Sequence, residues 1–175
     1  ANGATYKVGE EVFEKLGANI KVIANDPNGI NINDKCGSTH IANLSRTVLE
    51  KNADFGIAFD GDGDRVIMVD SKGQAFDGDK IMYLLSCYMK EKGKLNKDTL
   101  VLTVMSNLGV KKALEKKGIK ISETGVGDRY VVERMLNEGY NIGGEQSGHV
   151  ILSDINSTGD GIATALFVCK VGDEC

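Results

Sequence analysis

Three junctions along this chain repeat one order: an amphipathic run, a glycine, then a short apolar run. They read Leu16-Gly17-Ala18, Lys117-Gly118-Ile119 and Glu138-Gly139-Tyr140. A glycine placed this way takes the left-handed backbone that ends a helix. The apolar runs that follow are too short for helices and read as buried strands. Helical periodicity runs through Val8, Val12, Phe13 and Leu16, and then through Ile41, Leu44, Val48 and Leu49, with Ser38 or Thr39 as N-cap. It returns over 77–92, 110–117, 130–138 and 162–168. Strands are expected at 20–24, 55–59, 66–69, 100–104, 119–122 and from 141–143, and 150–152 is a further apolar run. Repeated helix–strand alternation restricts a chain to the α/β class. The pattern divides into two consecutive α/β domains, 1–76 and 77–175, with the boundary near Gln74 to Gly78.

Between the apolar runs at 55–59 and 66–69 stands Asp60-Gly61-Asp62-Gly63-Asp64-Arg65. Glycine between the carboxylates lets the backbone fold tightly enough for all three to converge. Converging carboxylates repel unless a cation lies among them, and an all-oxygen ligand set selects a hard cation, Mg²⁺ or Ca²⁺. Asp60, Asp62 and Asp64 are therefore the candidate metal ligands. An EF-hand would need glycine and glutamate where this loop has Arg65 and Ser71. An aspartyl-phosphate phosphatase would want Thr or Val at Asp64, and a solvated acidic turn rarely gathers three carboxylates this way.

Two later segments are candidates of a softer kind. Gly143-Gly144-Glu145-Gln146-Ser147-Gly148-His149 sets a carboxylate and a hydroxyl on one face of a glycine-rich loop, the acceptor and donor set that sugar hydroxyls require. On spacing alone it reads more readily as a hairpin turn with a satisfied surface glutamate, and His149 as a hydrogen-bonded structural histidine. Gly125-Val126-Gly127-Asp128-Arg129-Tyr130 lies between strand and helix, where free N–H groups and the Arg129 guanidinium suit an anion. It is not a Walker loop, and by itself is a generic turn.

Composition excludes several classes. Among 175 residues, 41% hydrophobic and 26% charged content describes a globular chain rather than a disordered one. No apolar run is long enough to cross a bilayer and no signal-peptide pattern opens the chain, so no membrane role is expected. The net charge of −4 lies wholly in residues 1–78, and there is no basic stripe for nucleic acid. Cys36, Cys87, Cys169 and Cys175 lack metal-type spacing and read as buried reduced thiols, which fits a cytoplasmic protein. Because the chain opens on Ala1, with Ala1-Asn2-Gly3 like the tail of a strand, it is expected to be a fragment or a processed chain.

Asp60-Gly-Asp-Gly-Asp-Arg65, Gly127-Asp-Arg-Tyr130 and Gly144-Glu-Gln-Ser-Gly-His149, in this order, resemble the α-D-phosphohexomutase family. The likeness is closer to its bacterial glucosamine-phosphate branch. It takes in Ala1-Asn-Gly-Ala-Thr-Tyr6, Pro27-Asn-Gly-Ile-Asn-Ile-Asn33, Met105-Ser-Asn-Leu-Gly109 and Thr158-Gly-Asp-Gly161. The resemblance implies three-layer α/β domains with mixed sheets, the second and third of four. It implies interconversion of glucosamine 6-phosphate and glucosamine 1-phosphate through a phosphoserine and a bisphosphorylated intermediate, feeding UDP-N-acetylglucosamine and the bacterial cell wall. Asp60, Asp62 and Asp64 would hold Mg²⁺, and Arg65 would position or neutralise the transferring phosphoryl group. Glu145 and Ser147 would bind sugar hydroxyls, His149 would support their loop, and Asp128 and Arg129 would lie at the rim of the cleft.

The family's Ser-His-Asn-Pro-type motif, which carries the catalytic serine, and its Arg-x-Ser-Gly-Thr phosphate-gripping loop do not occur among these residues. The expected partners are thus a hexosamine phosphate and the parent's first and fourth domains, and the chain alone is expected to be inactive. The phosphomannomutase/phosphoglucomutase branch and a non-catalytic metal- or sugar-phosphate-binding module remain the alternatives.

Overall fold

Gly17, Gly118 and Gly139 all adopt positive φ, 85°, 69° and 70°, so each of the three junctions ends a helix. The computed structural model describes residues 1–174. In chain order, α1 (Val8–Lys15) and α2 (Ala42–Lys51) precede the hairpin of β1 (Phe55–Phe59) and β2 (Val66–Asp70), and β3 (Ala75–Phe76) adds to its far edge. Then follow α3 (Gly78–Glu91), β4 (Thr99–Thr103), α4 (Leu108–Lys116), β5 (Lys120–Thr124), α5 (Asp128–Glu138), β6 (Ile142–Gly144), β7 (Val150–Leu152) and α6 (Gly161–Glu174).

The first sheet, β1-β2-β3, is antiparallel. Its alternation is read differently on its two faces. On one, Gly56 lies so close to Leu44 and Val48 of α2 that an added Cβ would come within 2.8 Å of either. On the other, Ile57, Phe59, Val66 and Met68 join the main core with Ala165 and Val168 of α6. The second sheet has the order β5-β4-β6-β7, parallel except for β7. Its central strand β4 is buried along its whole length, as expected where helices cover both faces of a parallel sheet. Leu100 and Leu102 point toward Ile81, Met82, Leu85 and Leu114, whereas Val101 points toward Val131 and Met135 of α5. Helix α6 packs on both sheets, so one core runs through the two halves of the chain.

Several expectations from sequence are corrected. Residues 20–24 form no strand; the backbone bond reaching them, Asn2 N–H to Ala24 O at 2.8 Å, comes from a segment that is not a strand either. An apolar run becomes a strand only when another strand pairs with it. Neither Ser38 nor Thr39 caps α2: the cap position is Ile41, with no side-chain bond. Instead the Ser38 N–H donates to Phe59 O at 3.1 Å, which holds this segment against β1. Strand β3 was not expected, being only two residues long. Helix α6 runs on to Glu174, beyond the expected 162–168. Cys36, Cys87 and Cys169 are free thiols, but only Cys36 is fully buried, and Cys175 lies outside the described residues. Among the described residues no helix is long and apolar enough to cross a membrane.

Candidate functional site

The hairpin β1–β2 exists to present its loop. Strand β1 delivers Asp60 at its end, and the register Phe59↔Val66 closes the loop six residues later. Asp60 folds inward: its Oδ1 accepts the N–H groups of Gly63 and Arg65, both at 3.1 Å. That leaves Asp60 only 8% exposed, while Asp62 faces solvent and Asp64 is half-buried. One oxygen from each of the three carboxylates lies within 4.8 Å of the others. The Asp60 carboxyl is pushed up to about 6, first by burial and then by the neighbouring Asp64 and Asp62 carboxyls, against the downward pull of the Arg65 N–H.

The donor set fits a hard divalent cation. Asp64 Oδ1 is buried without a hydrogen-bond partner. Such an oxygen is costly unless a cation or donor meets it. Arg65 supplies only partial compensation, its Nε standing 3.8 Å from Asp60 Oδ2 and 3.9 Å from Asp64 Oδ1. The Arg65 Nε is itself buried without a hydrogen-bond partner, although the side chain as a whole is 42% exposed.

The second loop joins β6 to β7. Glu145 Oε1 accepts the Gly127 N–H at 2.9 Å, and Ser147 Oγ donates to Glu145 Oε2 at 3.4 Å. The Gly78 N–H donates to Gln146 O at 3.1 Å, pinning the loop to the start of α3, and Asp77 caps that helix through Lys80 N–H. Glu145 is thus held from behind, with Gln146 and Ser147 exposed in front.

The two loops meet along a seam. The Val66 N–H donates to Gly148 O at 3.1 Å, Arg65 and His149 form an antiparallel bridge, and His149 Nδ1 lies 3.0 Å from Asp64 Oδ2. The structure therefore brings Asp60, Asp62, Asp64, Arg65 and His149 together, with Glu145 and Ser147 on the same loop as His149. Asp128 and Arg129 are exposed at the N-terminus of α5. Asp128 Oδ1 accepts the Arg129 N–H, and among the described residues no hydrogen bond or ion pair joins either side chain to the acidic loop.

Sequence spacing missed the walls of this site. The Ala4 N–H donates to Gly61 O at 2.8 Å and the Gly161 N–H to Gly63 O at 2.9 Å. A Cβ on Gly61 would come within 2.7 Å of Ile32, and one on Gly161 within 2.7 Å of Arg65 O. These contacts span long stretches of sequence, so no local pattern announces them. The only signal was that segments 1–6, 27–33 and 158–161 shared the family resemblance.

A family model described as phosphoglucomutase/phosphomannomutase, alpha/beta/alpha domain II, matches residues 1–73, and one described as domain III matches residues 77–174. Phosphoglucosamine mutase of Clostridium acetobutylicum is 56% identical over 174 residues, covering 99% of this chain and 39% of that protein. A phosphoglucomutase/phosphomannomutase family protein from Burkholderia thailandensis shares the fold, with TM-score 0.86 at 23% identity over 97% of this chain and 38% of that one. So does Aspergillus fumigatus N-acetylphosphoglucosamine mutase, solved with GlcNAc-6P and magnesium, at TM-score 0.77 and 20% identity over 98% of this chain and 41% of that one. The chain spans about two fifths of the length of these relatives. Both halves match their models in the order II then III, and the chain belongs to the phosphoglucomutase/phosphomannomutase family.

Proposed function

We propose that the chain is the middle portion of a phosphoglucosamine mutase, an isomerase interconverting glucosamine 6-phosphate and glucosamine 1-phosphate for UDP-N-acetylglucosamine synthesis in the cytoplasm. The observation that carries this reading is the seam between the acidic loop and the Glu145 loop, closed by Val66 N–H to Gly148 O at 3.1 Å. It sets a cation site beside groups suited to ring hydroxyls. The 56% identity to a protein named phosphoglucosamine mutase supports the glucosamine branch. We divide the chain between Phe76 and Asp77, where β3 ends and α3 is capped.

In this reading Asp60, Asp62 and Asp64 hold Mg²⁺, the ion named with the Aspergillus relative of the same fold. When bound, that ion neutralises charge developing on the transferring phosphoryl group. Arg65, beside these carboxylates and with its side chain 42% exposed, would supply positive charge to the phosphoryl oxygens. Glu145 accepts from ring hydroxyls while Gly127 N–H keeps its other oxygen in place, and Ser147 donates or accepts beside it. Asp128 and Arg129, exposed at the head of α5, line the rim. The first phosphoryl group comes from a phosphoserine outside these residues: its transfer to the free C1 hydroxyl gives the bisphosphate and a free serine, and transfer of the C6 phosphoryl to that serine restores the phosphoserine.

The test is ³¹P NMR of glucosamine 6-phosphate with Mg²⁺. The 175-residue chain alone leaves the substrate unchanged, whereas the same chain extended by its own flanking coding sequence to the length of its relatives converts it to the 1-phosphate. Turnover by the short chain, or none by the extended one, contradicts the proposal.

A further inference from the structure

Asp64 divides its two oxygens between unlike surroundings. Oδ1 is buried without a hydrogen bond, 3.9 Å from Arg65 Nε, while Oδ2 lies 3.0 Å from His149 Nδ1, a residue 85 positions downstream on the other loop. We propose that His149 is a positioning residue for the metal: its Nδ1–H fixes the Asp64 carboxylate so that Oδ1 alone faces the cation. This rests on the reading of the acidic loop as a divalent-cation site.

The direction of the hydrogen bond follows from the partners. A carboxylate that binds a cation is ionised and can only accept, so in this reading Nδ1 carries the proton. Nε2 is buried without a partner, which a bare nitrogen acceptor tolerates better than an N–H would. The ring also has little freedom to turn. Its side chain is 3% exposed, and Gly159 lies flat against it: a Cβ there would come within 2.5 Å of Cε1 and 2.7 Å of both ring nitrogens. The His149 backbone is held from two sides, since its O accepts the Glu145 N–H at 3.0 Å and the residue bridges Arg65.

A clamped donor on a clamped backbone restricts a carboxylate to which the acidic loop itself gives no hydrogen bond. Asp60 is oriented by the N–H groups of Gly63 and Arg65, but the hydrogen bond to Asp64 comes from His149. Hydrogen-bond partners of metal-ligating groups set ligand orientation, and losing one weakens metal binding by about 10- to 100-fold. The same residue belongs to the loop of Glu145 and Ser147, so the geometry of the cation site is set from the sugar side of the seam.

The experiment is calorimetric titration of the chain with Mn²⁺, with thermal unfolding of each metal-free variant alongside. Asp62→Asn tests the underlying site and is expected to abolish binding. His149→Phe keeps a flat ring and removes the donor, with an expected loss in affinity of about tenfold or more. His149→Asn, whose amide N–H can stand in for Nδ1–H, is expected to stay within about threefold of the unsubstituted chain, as rescue of a donor rather than of a shape. If Asp62→Asn abolishes binding while His149→Phe matches the unsubstituted chain, the positioning role is overturned and the metal site stands. If the unsubstituted chain binds no Mn²⁺, both fall. Nitrogen-15 NMR of the imidazole supplies a check that needs no variant: a protonated Nδ1 with a bare Nε2 is expected, and the reverse tautomer overturns the proposal.

Discussion

Replacing Gly148 with alanine strikes the seam where the two loops meet. Gly148 has φ +95°, and a Cβ on it would lie 2.2 Å from Val66 O and 2.9 Å from Val66 C. Forcing an ordinary residue into left-handed backbone costs about 1–2 kcal/mol. A contact of 2.2 Å with a backbone carbonyl cannot be absorbed by a side-chain rotation, so the Gly148 loop and the start of β2 must part. Parting them stretches the bond from Val66 N–H to Gly148 O, and an unpaired buried donor costs about 1–3 kcal/mol. The expected loss is about 3 kcal/mol, a large share of the 5–15 kcal/mol that typically holds a domain together. Gly93→Ala provides the control, because Gly93 has φ +66° with nothing within 4 Å of the added Cβ. There only the backbone cost remains, about 1 kcal/mol. In urea unfolding with a slope of about 2 kcal/mol per molar, the midpoints should fall by about 1.5 M and about 0.5 M respectively. If Gly148→Ala costs no more than Gly93→Ala, the seam is not a tight packing contact and the reasoning fails.

Leu102→Ala, at a fully buried position on the central strand, should cost about 2–5 kcal/mol by the same urea measurement; a loss below about 1 kcal/mol would mean that the core collapses around it. Asp79→Ala should cost about 1–3 kcal/mol, because Asp79 Oδ2 accepts the Asn107 N–H at 2.7 Å in a site only 1% exposed, and that donor would be left unpaired. The Asp60 carboxyl, held up to about 6 chiefly by burial, keeps its proton in the metal-free folded chain at pH values where an unfolded aspartate, with pKa about 3.9, has lost it. The folded state then binds more protons between about pH 4 and 6, so this group's contribution to metal-free stability is full below that window and is lost as pH rises through it. Mn²⁺ affinity should rise across the same window with proton release. Urea midpoints and calorimetry at pH 4.5 and 7 check this, and Asp60→Asn should remove its share of the dependence.

Local chemistry made much of the fold legible. Glycines 17, 118 and 139 ended helices as read, because a left-handed backbone after an amphipathic run has few other uses. The hairpin around Asp60, Asp62 and Asp64 was readable because two apolar runs and alternating glycines leave the carboxylates little choice but to converge. The run 20–24 failed for the opposite reason, since strand formation depends on a distant partner that periodicity does not encode. Capping by Ser38 failed because its backbone was committed to Phe59 O. At the site, the residue types were visible but not their pairing. Nothing in the spacing couples His149 to Asp64 or Gly127 to Glu145. Such contacts belong to the packing of two sheets on α6, which only the assembled core supplies.

Paramagnetic broadening by substoichiometric Mn²⁺ in a ¹H–¹⁵N spectrum of the chain tests the central claim most directly. The account predicts that the amides of 60–65 broaden first, that those of Gly148 and His149 broaden with them across the seam, and that Asp62→Asn removes both effects. Broadening confined to other surface carboxylates, or confined to 60–65 with Gly148 and His149 untouched, would contradict it.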